Sequence, residues 1–254
     1  FAEVIAPYDP AQIFPGKATL PPFFAQGGSM EFILGTDDVG RDILSRLIFG
    51  GRISIVYSFL VVLLSGTIGT SLGLIAGYYG GAVDRMTMRL VDIMMSLPSI
   101  LLAIVVASIL GPGLLNTVIA VSIVSIPHFI RLIRAQTMAE MKRPYVTASK
   151  TFGASSARQM FINILPNCMA PLIVQATIGF SNGILDIAAL GFLGLGAKPP
   201  LSEWGTMLAD ARAYIESAPW MVTLPGICIL LVVLGFNLLG DGLRDALDPR
   251  LKKS

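Results

Sequence analysis

Residues 53–83 read ISIVYSFLVVLLSGTIGTSLGLIAGYYGGAV and carry no charged side chain. A bilayer hydrocarbon core of about 30 Å is crossed by roughly 20 apolar helical residues, so this stretch is long enough for a transmembrane helix. Further uncharged stretches follow at 93–130, 159–185 and 217–240. The run at 93–130 has room for two crossings, and Gly111-Pro112-Gly113 interrupts it with a turn signal suited to a hairpin between helices. The 254-residue chain is 54% hydrophobic and 13% charged, where an ordinary soluble domain has about 25% charged residues. Such runs leave too little polar surface to wrap them as buried helices of a soluble globule. The expected fold is therefore all-α, a polytopic membrane helical bundle.

Five spans are predicted, at 54–78, 90–110, 114–134, 167–194 and 219–239. The apolar part of the second, 97–110, is short, so that helix is expected to begin earlier and to include Asp92. Arg89 lies three residues before Asp92, a spacing that lets the two meet on one helix face. Residues 1–52 read as an external segment. Within it, 6–30 is rich in Pro and Gly and irregular, and 37–49 (DDVGRDILSRLIF) is expected to form an amphipathic helix on the membrane surface. The opening FAEVIAPYDP looks like the outer end of a helix, so a further N-terminal span is expected upstream.

Lysine and arginine set the orientation. Arg85, Arg89, Arg131, Arg134, Lys142, Arg143, Lys150, Arg158, Arg244, Arg250, Lys252 and Lys253 fall on one side, twelve in all. The other side holds six, beside nine acidic residues. The loop at 135–166, inside a transmembrane domain of 53–240, and the tail at 241–254 are thus expected in the cytoplasm. A net charge of +2 gives no reason to expect nucleic acid.

Inside the spans, Gly69, Gly73 and Gly77 recur every four residues, a spacing that lets helix backbones approach closely; packing within the subunit is expected, and an interface between subunits is the alternative use. Gln175, Asn182 and Asp186 are separated by seven and four residues, which places them in one narrow stripe of a helix. Polar and ionisable groups at such positions face a bundle interior or a watery path, so the stripe is expected to line the translocation path. Interhelical pairing is the alternative use. His128 has no second His with which to build a metal site. Arg244 is spaced to pair with Asp248, or to be shared by Asp241 and Asp245. Cys168 and Cys228 read as small buried hydrophobes. Gly16-Lys17 lacks the surroundings of a phosphate loop. The G-x-S-x-G string at 179–183 falls in a span rather than at a strand-to-helix turn. No catalytic or metal-ligating residue is expected.

The loop 145–166 reads YVTASKTFGASSARQMFINILP. It resembles the cytoplasmic loop motif of ABC importer permeases, an E-A-A run, three residues, a Gly, and an I-x-L-P ending. Ala148, Gly153, Leu165 and Pro166 match in register, whereas Thr147, Ser149 and Asn163 depart from the motif's Glu, second Ala and Ile. LGTDDVGRDILSRLIFGGRIS (34–54), AGYYGGAVDRMTMRLVDIMMSLPS (76–99), ALGFLGLGAKPPLSEWGTML (189–208) and GDGLRDALDPRL (240–251) are similar, in the same order, to the dipeptide, oligopeptide and nickel permease group, closest to its dipeptide branch. The resemblance implies the type I ABC importer permease fold and an ATPase-docking loop made of two short helices, involving Tyr145, Ala148, Gly153, Ala154, Leu165 and Pro166.

It also implies the partners: a second homologous permease, two ATPase subunits that bind ATP and Mg, an external peptide-binding protein, and the lipid of a bacterial inner membrane. No cofactor is expected on this chain. A nickel or metal-chelate importer permease is the alternative within the class. A self-contained secondary transporter is the alternative outside it, and would call for inverted repeats or several intramembrane charges.

Overall fold

The computed structural model describes residues 2–247, mostly helical, with an irregular stretch at 6–42 and one isolated bridge between Thr36 and Asp42. The α-helices are α1 (Ala2–Ile5), α2 (Ile43–Tyr79), α3 (Gly81–Met95), α4 (Ser99–Leu110), α5 (Leu114–Glu140), α6 (Pro144–Thr151), α7 (Ser156–Arg158), α8 (Met169–Phe192), α9 (Trp204–Asp210) and α10 (Trp220–Leu247). A π-helical turn, Gln159–Ile164, and a 3₁₀ turn, Leu165–Cys168, join α7 to α8. Helices α2, α5 and α10 and the run Ser156–Phe192 are long and apolar enough to cross a membrane, and the bent pair α3–α4 supplies a fifth crossing if taken as one. The chain forms two compact units, Phe1–Leu60 with Ala103–Val121 and Ser181–Leu234, and Val61–Leu102 with Ser122–Phe180 and Gly235–Ser254.

In the first unit the irregular N-terminal segment is built on aromatic packing and on one carboxylate. Tyr8, Phe14 and Phe32 pack with ring centroids 5.0–5.7 Å apart. The Asp37 carboxylate accepts from the backbone N–H groups of Val39 (3.0 Å) and Arg41 (2.8 Å) and from Arg41 Nε (2.6 Å). Such local bonds compete with helix formation, and Gly40 follows with φ +88°. No surface helix therefore starts at 37. Asp42 caps α2 instead, accepting from Ser45 N at 2.7 Å, and residues 43–49 belong to the same continuous helix as the first span. Buried Arg46 bonds the Asp37 carboxylate and reaches Ser202 Oγ and Asp210 Oδ2, both at 3.4 Å. Gly113 N and Thr117 Oγ1 donate to Leu195 O (3.1 and 2.9 Å), anchoring the turn between α4 and α5.

Glu203 caps α9, accepting from Gly205 N (2.8 Å) and Thr206 N (2.9 Å), with Ser54 Oγ at 3.3 Å. The Trp204 indole N–H donates to Leu47 O at 3.0 Å. Burial raises the Glu203 carboxyl above its ordinary value even though these hydrogen bonds oppose the shift.

In the second unit the glycine row of α2 lies against α5. A Cβ at Gly73 would stand 2.8 Å from Ile130 O and 3.1 Å from Arg134 N, and one at Gly77 2.9 Å from Arg134 O. The row thus serves packing within the subunit. The second predicted span is not one straight helix: α3 and α4 meet at 92° across Ser96-Leu97-Pro98. Proline has no N–H to donate and drives the residue before it out of the helical region. Ser96 Oγ donates to Ile93 O at 2.7 Å where the ladder stops. Asp92 pairs with Arg131 of α5 at 2.5 Å rather than with Arg89. Arg134 grips Asp84 with two nitrogens, Nη2 to Oδ2 at 2.6 Å. Cross-helix arginines outreach the local one because α5 lies alongside α3.

In α10, no ion pair joins Arg244 to Asp241 or Asp245 among the described residues. Asp248, Arg250, Lys252 and Lys253 lie outside them. Both cysteines are free, and the G-x-S-x-G string sits within α8.

Candidate functional site

The loop between α5 and α8 folds into the two short helices its sequence implies. Pro144 opens α6 at a position whose N–H would have no helical partner. The helix closes when Gly153 N donates to Lys150 O (3.0 Å) and Ala154 N to Ser149 O (3.1 Å). This pair of bonds is the Schellman arrangement, which needs a left-handed residue, and Gly153 has φ +83°. A Cβ there would meet nothing within 4 Å, so glycine is required for its conformation and not for space. Ser155 then caps the next helix, its Oγ accepting from Arg158 N at 3.3 Å.

One face of this helical pair is anchored. Val146 of α6, Ile164 and Cys168 form a buried cluster with Leu74 of α2 and Ile133 of α5, flanked by Tyr78, Met141, Leu165 and Leu172. Burying an aliphatic side chain contributes about 1.5–3 kcal/mol, so the loop is held to two long helices. The other face is open: Phe152 is 90% exposed, and Ala148, Phe161 and Ile162 are exposed. A rigid mount beneath an exposed apolar face can receive a partner and pass its movement on to α2 and α5.

A polar seam stiffens the mount. The Tyr145 hydroxyl donates to Glu140 Oε2 (2.6 Å) and accepts from Asn167 Nδ2 (3.1 Å). Asn167 Nδ2 also donates to Asn163 O (2.7 Å), and Asn163 Nδ2 donates to Ser149 Oγ (2.7 Å), tying the second loop helix to α6. Burial, then the bond to the Glu140 carboxylate, pushes the Tyr145 hydroxyl up to about 12. Asn163, a departure from the loop motif, is thus the residue that joins its halves. Its i,i+4 spacing to Asn167 was the available signal, but the partners Glu140 and Ser149 come from other elements.

Of the six loop residues named from sequence, Leu165 packs at the anchored face, Tyr145, Ala148 and Pro166 are exposed, Gly153 makes the turn and Ala154 is half-buried beside it. The three stripe residues are apart from them on α8. Gln175 and Asp186 are half-buried and Asn182 is exposed. None of the three has a side-chain hydrogen bond or ion pair among the described residues. Sequence reading missed the Arg46–Asp37–Asp210 system and Glu203, whose partners lie up to 164 residues away.

Residues 69–253 match a family described as binding-protein-dependent transport system inner membrane component. The chain is 58% identical over 252 residues to the dipeptide transport system permease protein DppC of Haemophilus influenzae, covering 99% of this chain and 85% of that one. It is 60% identical over 253 residues to DppC of Escherichia coli, covering 100% and 84%. Identity to the glutathione transport system permease protein GsiD of Pectobacterium atrosepticum is 44% over 252 residues, covering 99% and 82%. In fold it resembles a chain of the MetNI methionine ABC transporter in an inward-facing conformation, with TM-score 0.63 and 19% identity, covering 80% of this chain and 96% of that chain. A mostly helical chain with apolar crossings, matched to one family over most of its length, is a multi-pass inner-membrane permease of an ABC importer, and it belongs to the binding-protein-dependent transport system inner membrane components.

Proposed function

We propose that this chain forms half of the translocation path for dipeptides or short peptides in an ATP-driven importer. The observation that carries the cargo reading is identity of 58–60% over nearly the whole chain to permeases named for dipeptide transport. The 44% identical relative named for glutathione favours a tripeptide as the next candidate. The other half of the path comes from a second homologous permease. ATP and Mg bind on two separate ATPase subunits, and an external binding protein delivers the peptide. The chain itself performs no catalysis.

The loop 145–166 is the docking element. Closure of the ATPases presses on its exposed face, and the Val146–Ile164–Cys168 cluster passes that displacement to Leu74 on α2 and Ile133 on α5. The unpaired stripe of Gln175, Asn182 and Asp186 hydrates the path, and Asp186 meets the ammonium end of the peptide. The loop and the C-terminus face the cytoplasm, as the lysine and arginine bias requires.

The test is ATP-dependent uptake of labelled alanyl-alanine by the reconstituted complex, with and without Gly153→Arg. Uptake that disappears in the variant while the complex stays folded supports both cargo and docking site. ATP-driven uptake of glutathione or of nickel, but not of the dipeptide, would change the cargo. Transport by this subunit alone, indifferent to ATP, would overturn the reading.

A further inference from the structure

Gln159 is the described residue that the packing explains least. Its side chain is fully buried, yet neither Nε2 nor Oε1 has a hydrogen-bond partner among the described residues. Burial of an unpaired amide is strongly unfavourable, because the water it gives up is replaced by nothing. Gln159 also opens the π-helical turn Gln159–Ile164, which stands between α7 and the 3₁₀ turn leading into α8. Single π turns hold one residue more than an α-helix needs and recur at functional sites.

The register explains the burial. Gln159 and Ile164 are five apart and both buried, a spacing that shares a face in a π turn. At about 100° per residue, an α-helix would instead pair Ile164 with Met160 and leave Gln159 roughly 140° away. In the π turn Gln159, Met160 and Ile164 are all buried, so the α register would keep Met160 inside and turn only the amide out. Phe161 and Ile162, between these positions, are exposed on the face assigned to the ATPase.

We propose that Gln159 is a positioning residue for coupling: its orphaned amide biases the turn at 159–164 toward α register, in which it swings out of the core and Phe161 and Ile162 are re-aimed against the ATPase. The inference rests on the docking role proposed for this loop. The resting permease is held in the π form by the docked apolar cluster, and ATPase closure releases it. Removing the amide removes the bias and traps the resting form.

The experiment compares the wild-type complex with Gln159→Met, which keeps shape and loses the amide, and Gln159→Asn, which keeps an amide. Three quantities are read: ATPase subunits recovered with the permeases, the thermal unfolding midpoint, and dipeptide taken up per ATP hydrolysed. Gln159→Met is expected to retain the ATPases, raise the midpoint and lower uptake per ATP about tenfold, the ratio that matches loss of one unpaired-amide penalty. Gln159→Asn is expected to restore most of that ratio. Wild-type uptake per ATP in Gln159→Met, or a lowered midpoint, overturns the inference. Full ATPase recovery after replacement of the whole 145–166 loop overturns the docking reading, and the inference with it.

Discussion

At the scale of single residues, conformation and hydrogen bonding separate positions that look alike in the sequence. Gly153 has open space around it but a left-handed backbone. Gly153→Ala should therefore cost about 1 kcal/mol, the penalty of an L side chain at positive φ, while Gly153→Asn costs less; thermal unfolding of the complex checks the order. Tyr145→Phe leaves the Glu140 carboxylate and the Asn167 amide without their shared partner. It should lower stability by about 1 kcal/mol and loosen ATPase binding, read as subunits lost on dilution. The motif residues of this loop were legible because they follow one another along the chain. The Asn163–Ser149 bond was not, because it depends on how the two short helices fold back on each other.

Helices and turns obey the same physics over longer reach. The glycine row of α2 was readable as a packing surface, and the structure identifies its mate as the backbone of α5. Gly73→Leu must push α2 and α5 apart, an overpacking cost of about 1–3 kcal/mol, and should reduce the yield of assembled complex. The break between α3 and α4 was available in Leu97-Pro98, yet apolarity alone ran the two segments together, since hydropathy is blind to direction. The cap of α9 carries a pH dependence. Burial lifts the Glu203 carboxyl above its ordinary 4.5, so the folded chain keeps this proton after the unfolded chain has lost it. The contribution is complete below pH 4.5 and is lost as pH rises through the folded value. Glu203→Gln should flatten that decline, measured as unfolding midpoints across a series of pH values.

For the molecule as a whole, the proposed function requires a route for the cargo and a mount for the ATPases. Asp186→Asn removes the one acidic group of the α8 stripe while keeping its size. It is expected to reduce uptake of peptides with a free amino terminus by about tenfold, the scale of one charge-assisted hydrogen bond, and to spare N-acetylated ones. Equal loss for both cargoes would reassign Asp186 to packing. Arg46→Ala should act differently. It leaves the buried Asp37 carboxylate without its second arginine, destabilising the fold by about 3–5 kcal/mol, with low recovery of the complex for every cargo.

The membrane class and the apolar helical runs that make the crossings were legible in the sequence alone, because runs without charge have one stable environment; the loop motif was legible too, because a contiguous motif needs no partner to be seen. What only the tertiary structure decided was the set of long-range partners: Asp92 with Arg131, Arg46 with Asp210, the loop cluster with α2 and α5, and the burial of Gln159 in a π turn. Those choices follow from which helix faces meet. Hydrophobicity drives helices into the bilayer without saying how each is rotated, so close packing and pairing of the remaining polar groups select the register.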